Sequence, residues 1–558
     1  MEAARSCKSL LAIMTGMVLL GASHISRAED TQRYWVYFRD KGILSSQMDQ
    51  ALSDAAQKLT PAARARRLKE MPTLMDQLDL PVCTNYVDAV RGTGATLRQV
   101  SRWLNAVSVE ATAAHVEGIK SLMCVLKVEP FHLRAVREPL PEHGSLDDLN
   151  YGGSFVQNEL CHIPELHNRG LSGRGILICH LDTGVWLFHE AFDSLHVVAT
   201  YDFINHDSIV WDEPGQDTAG QHSHGTATLS AMAGYKDSVL IGPAYGADIL
   251  VAKTEWVPGE VRSEEDNYVA GLEWADSLGA RITTSSLGYT GIAPDFWYEF
   301  EDLNGHTAVT TIAVEIAASR GILCVTAAGN EHGSEWNHIV TPADADSILA
   351  VGAVTRYGIL ADFSSRGPTA DGRTKPDVCA MGWNVVCARA NSSEYSYLGG
   401  TSLSTPIVAG VAALLMESHP DWTAQQVRAA VMNTATQHNS PNNDYGWGIV
   451  NGLAADDYMQ TATDQPSPSV LTSALLNWAY PNPFNSTTTL TFEIPSVSRT
   501  RVDVFDITGQ LVRTLTDRIY PPGPHVIQFD AEALPSGLYF ARVTAGNFRA
   551  TQKMVLIR

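Results

Sequence analysis

Four short segments carry side chains whose types and spacing could work on one bond. In Cys179-His-Leu-Asp-Thr-Gly-Val185 an acid, Asp182, stands where an apolar run ends in a glycine turn. Sites in open α/β sheets form at such strand ends. In His222-Ser-His-Gly-Thr-Ala-Thr-Leu-Ser230 an imidazole, His224, opens a small-residue stretch that reads as a helix. In Val325-Thr-Ala-Ala-Gly-Asn-Glu-His-Gly333 a buried strand ends in Gly329-Asn330, which puts a side-chain amide donor at a turn. In Gly399-Gly-Thr-Ser-Leu-Ser-Thr-Pro406 a hydroxyl, Ser402, stands at the mouth of an apolar helix. Free backbone N–H groups and the positive helix end lie beside that hydroxyl and can stabilise a developing oxyanion. Each residue has an ordinary use when taken alone: a strand-end Asp caps a turn, a His or Ser caps a helix, an Asn fits a turn. Four such segments in this order are not explained that way.

The Asp-Thr-Gly, His-Gly-Thr, Gly-Asn and Gly-Thr-Ser-x-x-x-Pro segments, in this chain order, resemble the subtilisin-like serine proteases. Phe363-Ser-Ser-Arg-Gly-Pro-Thr369 and Lys375-Pro-Asp377 extend the resemblance, which covers residues 150–458. It implies that Ser402 attacks a peptide carbonyl and that His224 takes and returns its proton. Asp182 would orient the imidazole and stabilise its protonated form. Asn330 and the Ser402 N–H would form the oxyanion hole. Ser285-Ser-Leu-Gly-Tyr289 resembles the strand lining the substrate cleft, so Ser286, Leu287 and Gly288 are the expected substrate-binding residues. A peptide would add there by backbone hydrogen bonds. No cofactor is called for. Relatives of this kind commonly hold calcium, but the sequence shows no ligand set specific enough to name. Two departures stand out: Leu403-Ser404 replaces the usual Met-Ala, and Ala380-Met-Gly382 replaces Ala-Pro-Gly. Leu for Met keeps the volume. A buried Ser404 hydroxyl needs a partner. These departures motivate the alternative, an inactive subtilisin-fold protein used for surface binding.

The elements that must hold these residues read as α/β. Apolar strand-like runs at 176–181, 249–253, 282–287, 322–328 and 348–354 alternate with helical stretches at 264–278, 308–319, 406–417 and 423–434. That alternation predicts a parallel sheet with helices on both faces. Ahead of it, residues 29–140 read as a small α+β unit. Its predicted strands are Tyr34–Phe38 and Trp103–Val109; its predicted helices are Ala62–Leu68 and Ala113–Leu126. By its place it resembles a propeptide, released by cleavage within Pro139–Gly152. Residues 461–475 are rich in Thr, Ser and Pro and read as a linker. Residues 476–558 hold six or seven short alternating strands, the pattern of an antiparallel β-sandwich. Tyr480-Pro-Asn-Pro-Phe-Asn485, Val504-Phe-Asp-Ile-Thr-Gly509 and Leu534-Pro-Ser-Gly-Leu-Tyr-Phe540 resemble a sorting domain of the type IX secretion system, which implies secretion machinery as a partner.

At the N-terminus, Arg5 and Lys8 precede an apolar stretch, Leu10 to Ala22, and Ser26-Arg27-Ala28. Residues 1–28 therefore read as a signal peptide, and the protein as secreted or held at the cell surface. No interior apolar run of about 18 residues stands out as a membrane span. The net charge of −22 argues against a nucleic-acid partner. Residues 141–475 alone hold 13 basic and 41 acidic side chains. Peptide or protein substrates with basic or neutral segments suit that field. The eight cysteines form no CxxC pair; Cys379 and Cys387 are candidates for pairing in an oxidising compartment.

Overall fold

The computed structural model describes residues 31–71, 73–130, 151–256, 264–290 and 298–458, and in the C-terminal unit 475–480, 482, 484–494, 498–520, 523–531, 534–545 and 548–557. The expected signal peptide, the stretch 131–150 and the linker as far as 474 lie outside the described residues.

Seven parallel strands form the central sheet. Their order is Val378–Met381, Leu349–Val354, Leu323–Ala327, Ile282–Ser285, Leu177–Asp182, Asp248–Lys253, His196–Asp202. Every neighbouring pair runs parallel. Strands such as Leu323–Ala327 are buried at every residue, as a sheet covered on both faces requires. From Leu177–Asp182 the chain builds first towards one edge, then returns and builds towards the other. The strand order therefore reverses at Leu177–Asp182 and Ile282–Ser285, and the crevice beyond their C-terminal ends is where such sheets bind ligands.

Two helices cover one face: the histidine helix, Ser223–Ala233, and the nucleophile helix, Thr401–Ser418. They share one core with Ile178, Val251, Val325 and Val351. The acidic helix, Glu265–Leu278, and the helix Val309–Ser319 cover the other face, over Cys179, Leu181, Leu250 and Cys324. Among the described residues Thr401–Ser418 alone is long and apolar enough to cross a membrane. This corrects the expectation that no interior run reaches that length. The helix is apolar all round because it is the centre of the core, where its Val408 and Leu414 share one cluster with Ile178, Val325 and Val351 of the sheet.

The N-terminal unit is a four-stranded antiparallel sheet in the order Thr96–Ser101, Ala106–Ala111, Gln32–Phe38, Val125–Pro130. The strand expected at 103–109 begins only at Ala106, because Arg102–Asn105 is a turn closed by Asn105 at φ 49°. The helix expected to run to Leu126 stops at Lys120, where the chain turns into the strand Val125–Pro130. Trp35 and Trp103 leave this unit's own core and join the core over the acidic helix, beside Tyr268 and Leu272. Around them runs a charge seam. Asp276 receives Arg66, Arg67 and Arg102, with Arg67 at 2.7 Å and Arg102 at 2.9 Å. Asp266 accepts from Arg98 at 2.9 Å and from the Ser108 hydroxyl at 2.7 Å. Glu273 accepts from the Ser101 hydroxyl at 2.6 Å. Asp266, Glu273 and Asp276 of the acidic helix thus face arginines of the small unit.

The C-terminal unit has two antiparallel sheets, one of three strands and one of four. Leu490, Phe492 and Phe529 from the first pack on Val502, Val504, Ala541 and Met554 from the second. This is the expected sandwich.

Candidate active site

Asp182 is the last residue of its strand and is 1% exposed. Its Oδ1 accepts from the Thr183 N–H at 2.7 Å and the Thr183 hydroxyl at 3.2 Å. It also stands 2.7 Å from His224 Nδ1. Its Oδ2 accepts from the Thr228 hydroxyl at 3.0 Å. A carboxylate so furnished holds the imidazole by Nδ1–H and leaves Nε2 to face the cleft. The close approach of the two motifs depends on Gly225: a Cβ there would lie 2.1 Å from the Gly184 carbonyl oxygen. The His-Gly step is therefore a packing requirement, since any side chain would push the histidine helix off the Asp182 turn.

Ser402 is the second residue of the nucleophile helix, whose cap position is Gly400. The hydroxyl is thus not consumed as a helix cap. It donates to the Ser286 carbonyl at 3.3 Å, a long bond readily given up when a base approaches. The Ser286 hydroxyl in turn donates to the Ser402 carbonyl at 2.7 Å. The Ser402 N–H lies in the first helical turn, where N–H groups have no intrahelical acceptor.

Asn330 follows Gly329 at the end of the strand Leu323–Ala327. Its Oδ1 accepts from the Thr401 N–H at 2.9 Å and from the Thr401 hydroxyl at 3.0 Å. With the oxygen so engaged, Nδ2 is turned to the nucleophile's turn, 3.6 Å from where a Cβ on Gly400 would stand. An amide N–H and a helix N–H therefore converge beside the Ser402 hydroxyl, the arrangement an oxyanion needs.

Ser286, Leu287 and Gly288 run on beyond the strand Ile282–Ser285 without joining the sheet. Tyr289 then pairs antiparallel with Thr341. This stretch lies beside Ser402, whose hydroxyl donates to the Ser286 carbonyl. Gly288 is close-packed: a Cβ there would lie 2.1 Å from Val340 Cγ2.

All seven expected site residues thus lie at the sheet's crevice, near one another in the fold though up to 220 positions apart in the chain. Sequence reasoning missed Thr401, Thr183 and Thr228. They lie inside the motifs already quoted; what marks them is a hydroxyl adjacent to, or one helical turn from, a working group. It also missed His222, which takes the Asp212 N–H at 2.7 Å and gives its own N–H to Asp212 Oδ1 at 2.9 Å, fastening the loop before His224. The departures are accommodated: Ser404 donates to the Thr401 carbonyl at 3.0 Å and Leu403 is buried in the core. Cys379 and Cys387 are both free; they face the carbonyls of Tyr445 and Ser396. Burial pushes both thiols up. Among the described residues no group of three or more His, Cys, Asp or Glu could hold a metal ion. The buried acids Asp202 and Asp217 are instead neutralised by Lys253 at 2.7 and 2.6 Å.

Three family models match this chain. The Subtilase family matches residues 173–448. A peptidase S8 propeptide domain of Bacteroidota matches 33–143. A secretion system C-terminal sorting domain matches 478–557. Among curated proteins, Subtilisin BL of Lederbergia lenta is 33% identical over 294 residues, 52% of this chain and 94% of that protein. Subtilisin E of Bacillus subtilis (strain 168) is 30% identical over 370 residues, 66% of this chain and 85% of the relative.

Proposed function

Because this chain belongs to the subtilase family, we propose that Asp182, His224 and Ser402 are the working groups of a secreted serine endopeptidase made as a zymogen. The observation that carries the assignment is the 2.7 Å bond between Asp182 and His224 Nδ1, set at the crevice that also holds Ser402 and Asn330. His224 Nε2 takes the Ser402 proton as Oγ bonds to the peptide carbonyl carbon. The carbonyl oxygen becomes an oxyanion, received by Asn330 Nδ2 and the Ser402 N–H. Return of the proton from His224 to the leaving nitrogen breaks the peptide bond and leaves an ester on Ser402. Water then repeats the cycle and frees the acid. Asp182 stays ionised throughout and stabilises the imidazolium. Ser286, Leu287 and Gly288 hold the substrate backbone as an added strand.

Residues 29–140 act as the propeptide, with processing in Pro139–Gly152; the arginine seam on the acidic helix keeps the cleaved unit in place. Residues 476–558 address the protein to the secretion machinery. Calcium, which relatives of this kind commonly hold, is assigned to no residues, and no step depends on it. Replacing Ser402 with Ala should abolish casein hydrolysis and fluorophosphonate labelling and leave residues 29–140 attached. Hydrolysis at the parent rate by that variant would refute the assignment.

A further inference from the structure

The strand that ends in Asp182 carries a second ionisable residue on the same face. Side chains alternate along a strand. Cys179 and Leu181 enter the core under the acidic helix, while Ile178 enters the core under the histidine and nucleophile helices. His180 and Asp182 share that second face. His180 is 1% exposed and has no part in the peptidase chemistry as derived. Its Nε2 stands 3.2 Å from the Gly225 carbonyl, 3.3 Å from the Thr228 hydroxyl and 3.8 Å from Asp182 Oδ2. Its Nδ1 is buried and meets no hydrogen-bonding partner among the described residues.

The tautomer follows. A bare Nε2 would direct its lone pair at the Gly225 oxygen, and the proton on Nδ1 would be a buried donor with no acceptor. Placing the proton on Nε2 removes both conflicts. Burial also favours the neutral ring.

Thr228 has one proton and several acceptors in reach: Asp182 Oδ2 at 3.0 Å, the His224 carbonyl at 3.1 Å and the Gly225 carbonyl at 3.2 Å. With the proton on Nε2 the ring no longer accepts from Thr228, and of the oxygens left the Asp182 carboxylate is both the nearest and the charged one. We propose that His180 is a positioning residue of the triad, which commits the Thr228 hydroxyl to Asp182 Oδ2 and thereby fixes the carboxylate that holds His224. The titratable groups facing His180 are Asp182 on its own strand and His224 on the histidine helix. The neighbouring strands present Val251 and Thr284 at its register. The nucleophile helix has a single charge, Glu417, bound at its far end to the N–H groups of Ser172, Gly173 and Arg174. The loop ahead of His224 holds the Asp212–His222 pair.

The proposal rests on the triad assignment, and the test separates the two, since failure of that assignment would leave the parent enzyme unlabelled by fluorophosphonate. Processed His180→Val, His180→Gln and Thr228→Val enzymes are counted by that label, so unfolded molecules do not enter the rates. Loss of one hydrogen bond to the carboxylate should lower kcat about fivefold with KM unchanged. It should also move the acid limb of the kcat/KM profile up by about half a pH unit, because a less satisfied Asp182 holds the imidazolium more tightly. Gln carries a donor near the place of Nε2 and should return kcat to within about twofold of the parent. His180→Val and Thr228→Val break one chain of bonds, so their effects should not add. If His180→Val fails to mature, Thr228→Val and His180→Gln decide. An unmoved acid limb and a kcat near the parent's in Thr228→Val, or a Gln variant as impaired as Val, would overturn the proposal.

Discussion

Asp276→Asn should loosen the grip of the N-terminal unit without touching catalysis. In the zymogen this carboxylate is fully buried and faces three guanidinium groups, those of Arg66, Arg67 and Arg102. The three are not equal. The Arg102 side chain is 26% exposed, and water compensates it. Arg67 is fully buried but keeps Asp79 at 2.9 Å. Arg66, 3% exposed, would retain the carbonyls of Arg320 at 2.9 Å, Ala280 at 2.6 Å and residue 276 at 3.4 Å, with no carboxylate at ion-pair distance among the described residues. Removing one partner of a buried pair costs about 3–5 kcal/mol. One stranded guanidinium puts the loss at the lower end, about 3 kcal/mol, or roughly a hundredfold in the dissociation constant. All three guanidinium partners of Asp276 belong to the N-terminal unit, so Asn should cost little once that unit has left. The readout is dilution of the processed complex: the concentration at which half the peptidase activity appears should rise about a hundredfold. Mature kcat/KM should not change. A shift below about threefold would show that Trp35, Trp103 and the apolar contacts hold the unit, and that the arginine seam adds little.

Three further outcomes follow from single groups. Glu265 is buried against the Tyr298 hydroxyl, and burial pushes its carboxyl up to about 8. The native chain keeps a proton there that the unfolded chain loses near the ordinary carboxylate value, so stability falls as pH rises through that window, by up to about 1.4 kcal/mol per pH unit. In the Ser402→Ala zymogen, Glu265→Gln should flatten the fall of Tm between about pH 5 and 8, and identical slopes in the two proteins would refute this. Asn330→Ala should lower kcat by about 10²–10³ with KM little changed, a range borrowed from the equivalent donor of subtilisin. Thr401→Val, which frees Asn330 Oδ1 from one of its two bonds, should give a smaller loss in the same direction, and an equal KM increase in both would point to substrate binding instead.

Asp182, His224, Asn330, Ser402 and the cleft segment 286–288 were legible because motif chemistry is local: an acid at a strand end, a glycine where backbones touch, a hydroxyl at a helix mouth. The alternation of apolar runs and helices likewise announced a parallel sheet, since a strand buried on both faces has few sequences open to it. The strand expected at Trp103 and the helix expected to reach Leu126 failed at their ends, where a turn at Asn105 and the start of a strand overrode local propensity. The sequence also marked the large unit as acidic and predicted for the small one a helix, Ala62–Leu68, that carries Arg64, Arg66 and Arg67. It could not say that the two face each other, because ion pairing over two hundred positions has no local signature. His180 sat unnoticed within an apolar run. Its place beside Thr228 exists only once strand and helix are packed, at distances of 3.0–3.3 Å that the chain's spacing does not encode. What the chain fixes by itself is which groups can do chemistry; packing decides which of their protons and lone pairs meet, since hydrogen bonds weaken steeply with distance and angle.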